Sequence, residues 1–179
     1  MATKAVFQVV GYKNTGKTTL TCRLIRLFRA AGYSVGTIKH DAHDFEIDLP
    51  GKDTWQHREA GAEAVAITSD GGGRTFILEQ RPLALNELVQ RMAHLDIVVV
   101  EGFKSEDYPK IVIVREAGDL ALIGRVSHPL AVAAWLAPEQ AAPHAGGTPI
   151  VAIDDTEALL RVVADKFGLD IAGGQEEKR

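Results

Sequence analysis

Eight residues, Gly11 to Thr18, read GYKNTGKT and match the spacing G-x-x-x-x-G-K-[ST]. Those residue types at that spacing suit the binding of a polyphosphate. Glycines let the backbone curl so that successive N–H groups point inward at a phosphate. The helix that follows presents the positive end of its dipole. Lys17 is placed to reach the β- and γ-phosphates, and the Thr18 hydroxyl to ligate Mg²⁺. The candidate nucleotide-binding set is Gly11, Lys13, Asn14, Thr15, Gly16, Lys17, Thr18 and Thr19. The competing explanation is a chance match in a glycine-containing turn. Average glycine usage makes such a match rare, on the order of one chain per hundred or fewer.

A phosphate loop of this kind needs a second carboxylate to hold Mg²⁺, directly or through water. Glu101 closes the apolar run "DIVVVEG", residues 96–102, and fits that place, where aspartate is usual. The competing reading is a strand-end acid facing solvent. Gly102 would let a γ-phosphate approach the backbone. The polar stretch 41–53 carries Asp41, Asp44, Glu46, Asp48 and Asp53 and lies where a nucleotide switch would sit. Most of these acids read as solvated. Asp53 is the best candidate there for an outer Mg²⁺ contact, against an equal claim as the N-cap of the next helix.

His40 and His43 have the spacing H-x-x-H, but no cysteine or third ligand accompanies them, so hydrogen-bonded histidines are favoured over a metal site. Trp55 and Trp135 read as packing residues in preference to base-stacking platforms, and Cys22 as an inert packing residue. The guanine-reading pattern Asn-Lys-x-Asp is absent: Asn14 lies in the loop itself, and Asn86 is followed by glutamate. Asp154 and Asp155, in "AIDD", stand where a base pocket could form. A carboxylate there could accept from guanine N1–H and N2–H₂, while helix capping is at least as good an account of Asp155.

Strands and helices must position these groups. Residues 5–10 read as a strand, 17–31 as a helix with Leu20, Leu24, Leu27 and Phe28 on one face, and 33–40 as a second strand. This βαβ order implies a parallel sheet with helices on its faces. A short helix is expected at 54–62, a hairpin at 63–80 around "SDGGG", and a helix at 83–95. A buried central strand is expected at 96–103, further strands at 110–116 and 148–154, and a last helix after Asp155. The fold class is a doubly wound, mostly parallel α/β sheet of P-loop type with a peripheral β-hairpin. Residues 1–170 form one domain, and 171–179 read as a disordered tail.

The 179 residues, 46% hydrophobic and 25% charged, suit a globular domain. A net charge of −4 argues against generic binding to nucleic acid or anionic membrane. No apolar run approaches membrane-spanning length, and the N-terminus lacks the long apolar centre of a signal peptide. The single cysteine excludes an internal disulfide and fits a reducing cytoplasm.

Three stretches together, "GYKNTGKTTL", "TIKHDAHDFEIDLPGKDTWQHREAGA" and "VVVEGFK", resemble the MobB family of molybdopterin-guanine dinucleotide biosynthesis adaptor proteins. The resemblance runs from residue 5 to about residue 155. It implies a homodimer that binds GTP and Mg²⁺ and hydrolyses GTP weakly at most. It implies a partner, MobA, the transferase that joins GMP to molybdopterin, with molybdopterin itself a further candidate ligand. Carried over by position, Gly11 to Thr18 would hold the phosphates, and Thr18 with Glu101 would hold Mg²⁺. P-loop proteins that dimerise around nucleotide often carry a second lysine directly after the first glycine. Here Tyr12 takes that place and the lysine follows at Lys13.

A small-molecule kinase and an autonomous ATPase are the alternatives. A kinase usually has an arginine-bearing lid, whereas Arg115, Arg125 and Arg161 are scattered. The homodimer contact is expected at the hairpin, where Val65 and Ile67 alternate on one strand and Phe76 and Leu78 on the other. A lone hairpin needs its apolar face covered. The helix at 83–95 is the alternative cover.

Overall fold

The computed structural model describes residues 3–41 and 46–171, which form two compact units, 41–84 and the rest of the chain. The expected disorder at 171–179 falls, after Ile171, outside the described residues, as do His43 and Asp44.

The larger unit is built on six strands: β1 (Ala5–Val10), β2 (Val35–Lys39), β5 (Ile97–Glu101), β6 (Lys110–Val114), β7 (Pro129–Ala134) and β8 (Ile150–Ala152). They pair in the order β2-β5-β1-β6-β7-β8, all parallel. Both faces are covered, and successive residues supply each face in turn. Ile97 and Val99 of β5 pack with Leu20, Leu24 and Phe28 of helix α1 (Lys17–Ala30) and with Leu159 and Val163 of α5 (Thr156–Phe167). Val98 and Val100 turn to the other face, against Leu85 of α3 (Leu85–Arg91). Further along that face, Val112 and Val114 meet Leu120, Leu122 and Ile123 of a 3-10 helix, Ala117–Arg125, and Ala141 of the short helix α4 (Pro138–Ala141). Period-two alternation with apolar residues on both sides defines a doubly wound sheet, as expected from the sequence.

One strand was not expected. The run PLAVAA of β7 opens on proline and is alanine-rich, so it lacks the β-branched signature of a strand. Its position between β6 and β8 makes it one by pairing.

The connection from β5 to β6 is only residues 102–109, with no helix. Gln8, fully buried on β1, donates its amide to the carbonyls of Gly102 (2.9 Å) and Phe103 (2.6 Å). Lys110, also fully buried, donates Nζ to the carbonyls of Glu106 and Tyr108 and to Ser127 Oγ. Two buried side chains thus pin a short crossover by satisfying its carbonyls.

The smaller unit holds helix α2 (Asp53–Glu59) and the antiparallel pair β3 (Ala64–Ser69) and β4 (Arg74–Glu79), in the register Val65↔Leu78 and Ile67↔Phe76. Arg58 pairs with Glu46 at 2.7 Å, and Thr54 Oγ1 donates to Asp48 at 2.9 Å. Ile67 and Ile77 are 53% and 60% exposed.

Candidate functional site

The loop between β1 and α1 has the cradle geometry that its sequence demands. A Cβ at Gly11 would stand 2.6 Å from Thr15 Oγ1 and 3.3 Å from Ile113 Cβ, so only glycine leaves room. Gly16, at φ 98°, is the N-cap of α1 in the left-handed region. Among the described residues no side chain caps this helix and no acid lies in its first turn. Among the described residues its first-turn N–H groups are therefore left without a side-chain cap.

Two bonds tie the loop to itself and three tie it to neighbouring strand ends. Thr15 Oγ1 donates to the Tyr12 carbonyl (3.0 Å) and Lys17 Nζ to the same oxygen (2.6 Å). Thr18 Oγ1 donates to Glu101 Oε1 at 3.0 Å. Arg115, just past β6, donates to the Asn14 carbonyl at 2.5 Å. Trp135, just past β7, donates its indole N–H to the Thr15 carbonyl at 2.9 Å.

The electrostatics are dominated by cations. Lys39 Nζ stands 3.8 Å from Glu101 Oε1, and Lys104 lies over the Tyr12 ring at 4.3 Å. Burial holds the Lys17 ammonium below the ordinary lysine range; Glu101 pulls it up, and Lys104 and Lys39 push it down. Among the described residues Glu101 is the carboxylate set beside Lys17, with Lys39 and Lys104 adding positive charge that a polyphosphate would neutralise.

Thr18 and Glu101, placed together by the sequence, meet side chain to side chain. That pair supplies a hydroxyl and a carboxylate oxygen, the donor types that Mg²⁺ takes alongside phosphate oxygens and water. Asp53 belongs to the smaller unit. It is the first residue of α2 and not its N-cap, a place Lys52 takes without a side-chain cap bond. Lys13 lies exposed in the loop, and Thr19 in the first turn of α1. His40 packs its ring against Phe103, 4.7 Å between centroids. Among the described residues no three His, Cys, Asp or Glu side chains cluster as metal ligands.

Two packing assignments do not hold. Cys22 is exposed, on the outer side of α1. Trp135 is 55% exposed and lines a cleft of about 430 Å³ beside the loop, with Gly16, Thr19, Arg23, Ile153 and Asp154 among its walls. Sequence reasoning missed Lys39, Lys104 and Arg115. Lys104 sits in the "EGFK" run, directly after the carboxylate strand, which was the available signal. Arg115 enters the sequence reading only as one of the scattered arginines, because an arginine at a strand end has no motif that points to the loop. The two candidate base readers separate: Asp155 Oδ1 accepts from Ala158 N–H at 3.0 Å as the N-cap of α5, whereas Asp154 lines the cleft.

An uncapped helix after a glycine cradle, set at the carboxyl ends of a parallel sheet, defines a P-loop α/β protein. The chain belongs to the MobB family, "Molybdopterin guanine dinucleotide synthesis protein B", which it matches over residues 6–135. A molybdopterin-guanine dinucleotide biosynthesis adapter protein from Haemophilus influenzae is 37% identical over 110 residues, 60% of this chain and 62% of that protein. A probable adapter protein of the same name from Bacillus subtilis is 32% identical over 167 residues, covering 91% of this chain and 94% of that one. The crystal structure of a MobB homolog from Bacillus stearothermophilus superposes with a TM-score of 0.67 at 30% identity, covering 91% of this chain and 97% of that one. No described helix is long and apolar enough to cross a membrane.

Proposed function

We propose that this protein is a GTP-binding adapter in molybdenum cofactor maturation, assisting a MobA-type transferase in converting molybdopterin to molybdopterin guanine dinucleotide. The observation that carries the nucleotide part is the Thr18–Glu101 hydrogen bond at the mouth of the loop, ringed by Lys17, Lys39 and Lys104. In this reading Gly11 to Thr19 hold the phosphates, with Lys13 and Asn14 at the loop's outer edge. Thr18 and Glu101 hold Mg²⁺. Bound there, the ion would offset phosphate charge. Hydrolysis is slow or absent, and the protein works in the cytoplasm.

The protein acts as a homodimer whose contact includes the hairpin, because Ile67 and Ile77 leave apolar surface on it exposed. The adapter role is supported by the relatives' names and by the family match. Calorimetry with GTP and ATP, with and without Mg²⁺, tests the nucleotide, and light scattering of the Ile67→Lys, Phe76→Glu variant tests the dimer. Capture of the transferase only when nucleotide is present supports the adapter reading. Phosphate transfer to a small acceptor would replace it with a kinase. Rapid ATP turnover without a partner would replace it with an ATPase.

A further inference from the structure

The cleft beside the phosphate loop has features that phosphate binding does not use. Its volume of about 430 Å³ falls within the range of small-ligand sites, about 300–1,000 Å³. It adjoins Gly16 and Thr19 at the start of α1, so a nucleotide whose phosphates fill the loop leaves its base within reach of this space. Its wall includes an aromatic ring held in a fixed place. The Trp135 indole N–H is bound to the Thr15 carbonyl, a Cβ at Gly16 would stand 3.5 Å from its ring edge, and the Arg115 guanidinium lies over the ring, 5.7 Å from its centre. A tryptophan tethered in this way, yet 55% exposed, presents a stacking surface without losing further side-chain entropy on binding.

The cleft also holds one free carboxylate. No hydrogen bond or ion pair occupies the side chain of Asp154 among the described residues, while its neighbour Asp155 is consumed as a helix cap. We propose that this cleft is the base subsite and that Asp154 selects guanine in it, with Trp135 as the wall against which the purine lies. The inference rests on the reading of the loop as a triphosphate site.

The selectivity follows from donor and acceptor patterns. A carboxylate only accepts. Guanine offers it two donors side by side, N1–H and the N2 amine. Adenine puts an acceptor at N1, hypoxanthine lacks the amine, and xanthine replaces the amine with a carbonyl. An amide in place of the carboxylate reverses the last case, because its NH₂ donates to the xanthine carbonyl while its oxygen accepts N1–H.

The test is competition binding on the full chain with GTP, XTP, ITP, ATP and inorganic tripolyphosphate, for wild type, Asp154→Asn and Asp155→Asn. Asp154→Asn is expected to weaken GTP by roughly tenfold or more, the worth of one charge-assisted hydrogen bond, and to gain XTP. Tripolyphosphate binding should be unchanged, since it engages the loop alone. Asp155→Asn should leave base preference alone. In a Trp55→Phe background, where Trp135 is the remaining tryptophan, GTP should quench emission and tripolyphosphate should not. Retained preference of Asp154→Asn for GTP over XTP, with tripolyphosphate binding intact, overturns the subsite while sparing the phosphate loop. Absence of tripolyphosphate and GTP binding to the wild type overturns both.

Discussion

Strand β5 is flanked by an acid at each end, and the two carboxylates have opposite settings. Asp96, just before the strand, is closed by partners. Its Oδ2 accepts from the Ser34 N–H (2.9 Å) and hydroxyl (2.7 Å), its own N–H donates to Ser34 Oγ (2.9 Å), and Lys4 pairs with Oδ1 at 3.1 Å. The Ser34 hydroxyl above all, then its N–H and Lys4, bring the Asp96 carboxyl down to about 2. Glu101, at the other end, has a side chain only 10% exposed, against 29% for Asp96. Yet it accepts one hydroxyl and faces more positive charge than it can balance. The more exposed acid is the satisfied one. Burial alone therefore does not mark the working residue; the surplus of unmatched charge and the uncapped helix do. Asp96 ties β2 to β5, and in the proposed reading Glu101 takes a cation from outside while the surrounding ammonium groups take an anion.

Substitutions at the two ends should separate binding from stability. The largest effect is expected at the open end from Lys17→Ala. Each charge-assisted hydrogen bond contributes roughly 1.5–3 kcal/mol, so loss of those to two phosphates lowers affinity by roughly a hundredfold or more. Calorimetry with GTP reads this, and unchanged affinity would remove the phosphate role. Glu101→Gln should cost less, and only part of the binding: affinity with Mg²⁺ falls by roughly tenfold, while affinity without Mg²⁺ holds or rises, because a negative charge has left the phosphate site. Equal losses with and without the ion would make Glu101 a strand-end residue like Asp96.

The contrast also explains what the sequence could carry. The open end is local in sequence: Gly11 to Thr18 are contiguous, and Glu101 is announced by the apolar run before it, so the loop, the strand and their meeting were legible. Cross-strand geometry is not local. Lys39 is known as a neighbour of Glu101 only once β2 and β5 align Lys39 with Glu101. Trp135 reads as core because it ends an apolar run, and its exposure depends on where β7 stops. β7 itself was hidden because alanine pairs as a strand only when its neighbours impose it. The Asp96–Ser34 clamp joins residues 62 apart and carries no motif.

At the closed end, Asp96→Asn should leave GTP affinity unchanged and lower stability. The sign follows from a folded-state value of about 2 against an ordinary 3.8. A carboxyl whose folded-state value is lowered stabilises the fold in full above its ordinary value, and that contribution disappears as pH falls toward the lowered one. At neutral pH the variant should unfold at lower denaturant than the wild type, and the gap should close between about pH 4 and pH 2. A gap that stays constant across that window would mean that the clamp acts through its geometry and not through its charge.

The smallest effect concerns the proton on Lys17. Burial has lowered its value in the free protein, and bound phosphates, adding negative charge beside it, must raise that value again. Below the free-state value the ammonium is present before and after binding, so affinity does not depend on this group. As pH rises through that value the free protein loses a proton that the complex must regain, and GTP affinity falls, by at most about tenfold per pH unit. The groups around it act in known senses: Glu101 delays the loss, and Lys39 and Lys104 advance it. Measurements above about pH 8 avoid the titration of a terminal phosphate, near 6. Lys17→Arg keeps its charge throughout that range, so its affinity should be flatter with pH than that of the wild type. Asp96→Asn should follow the wild-type slope, since its carboxyl lies at the far end of β5. Equal slopes in wild type and Lys17→Arg would show that Lys17 is not the group whose proton the phosphates require.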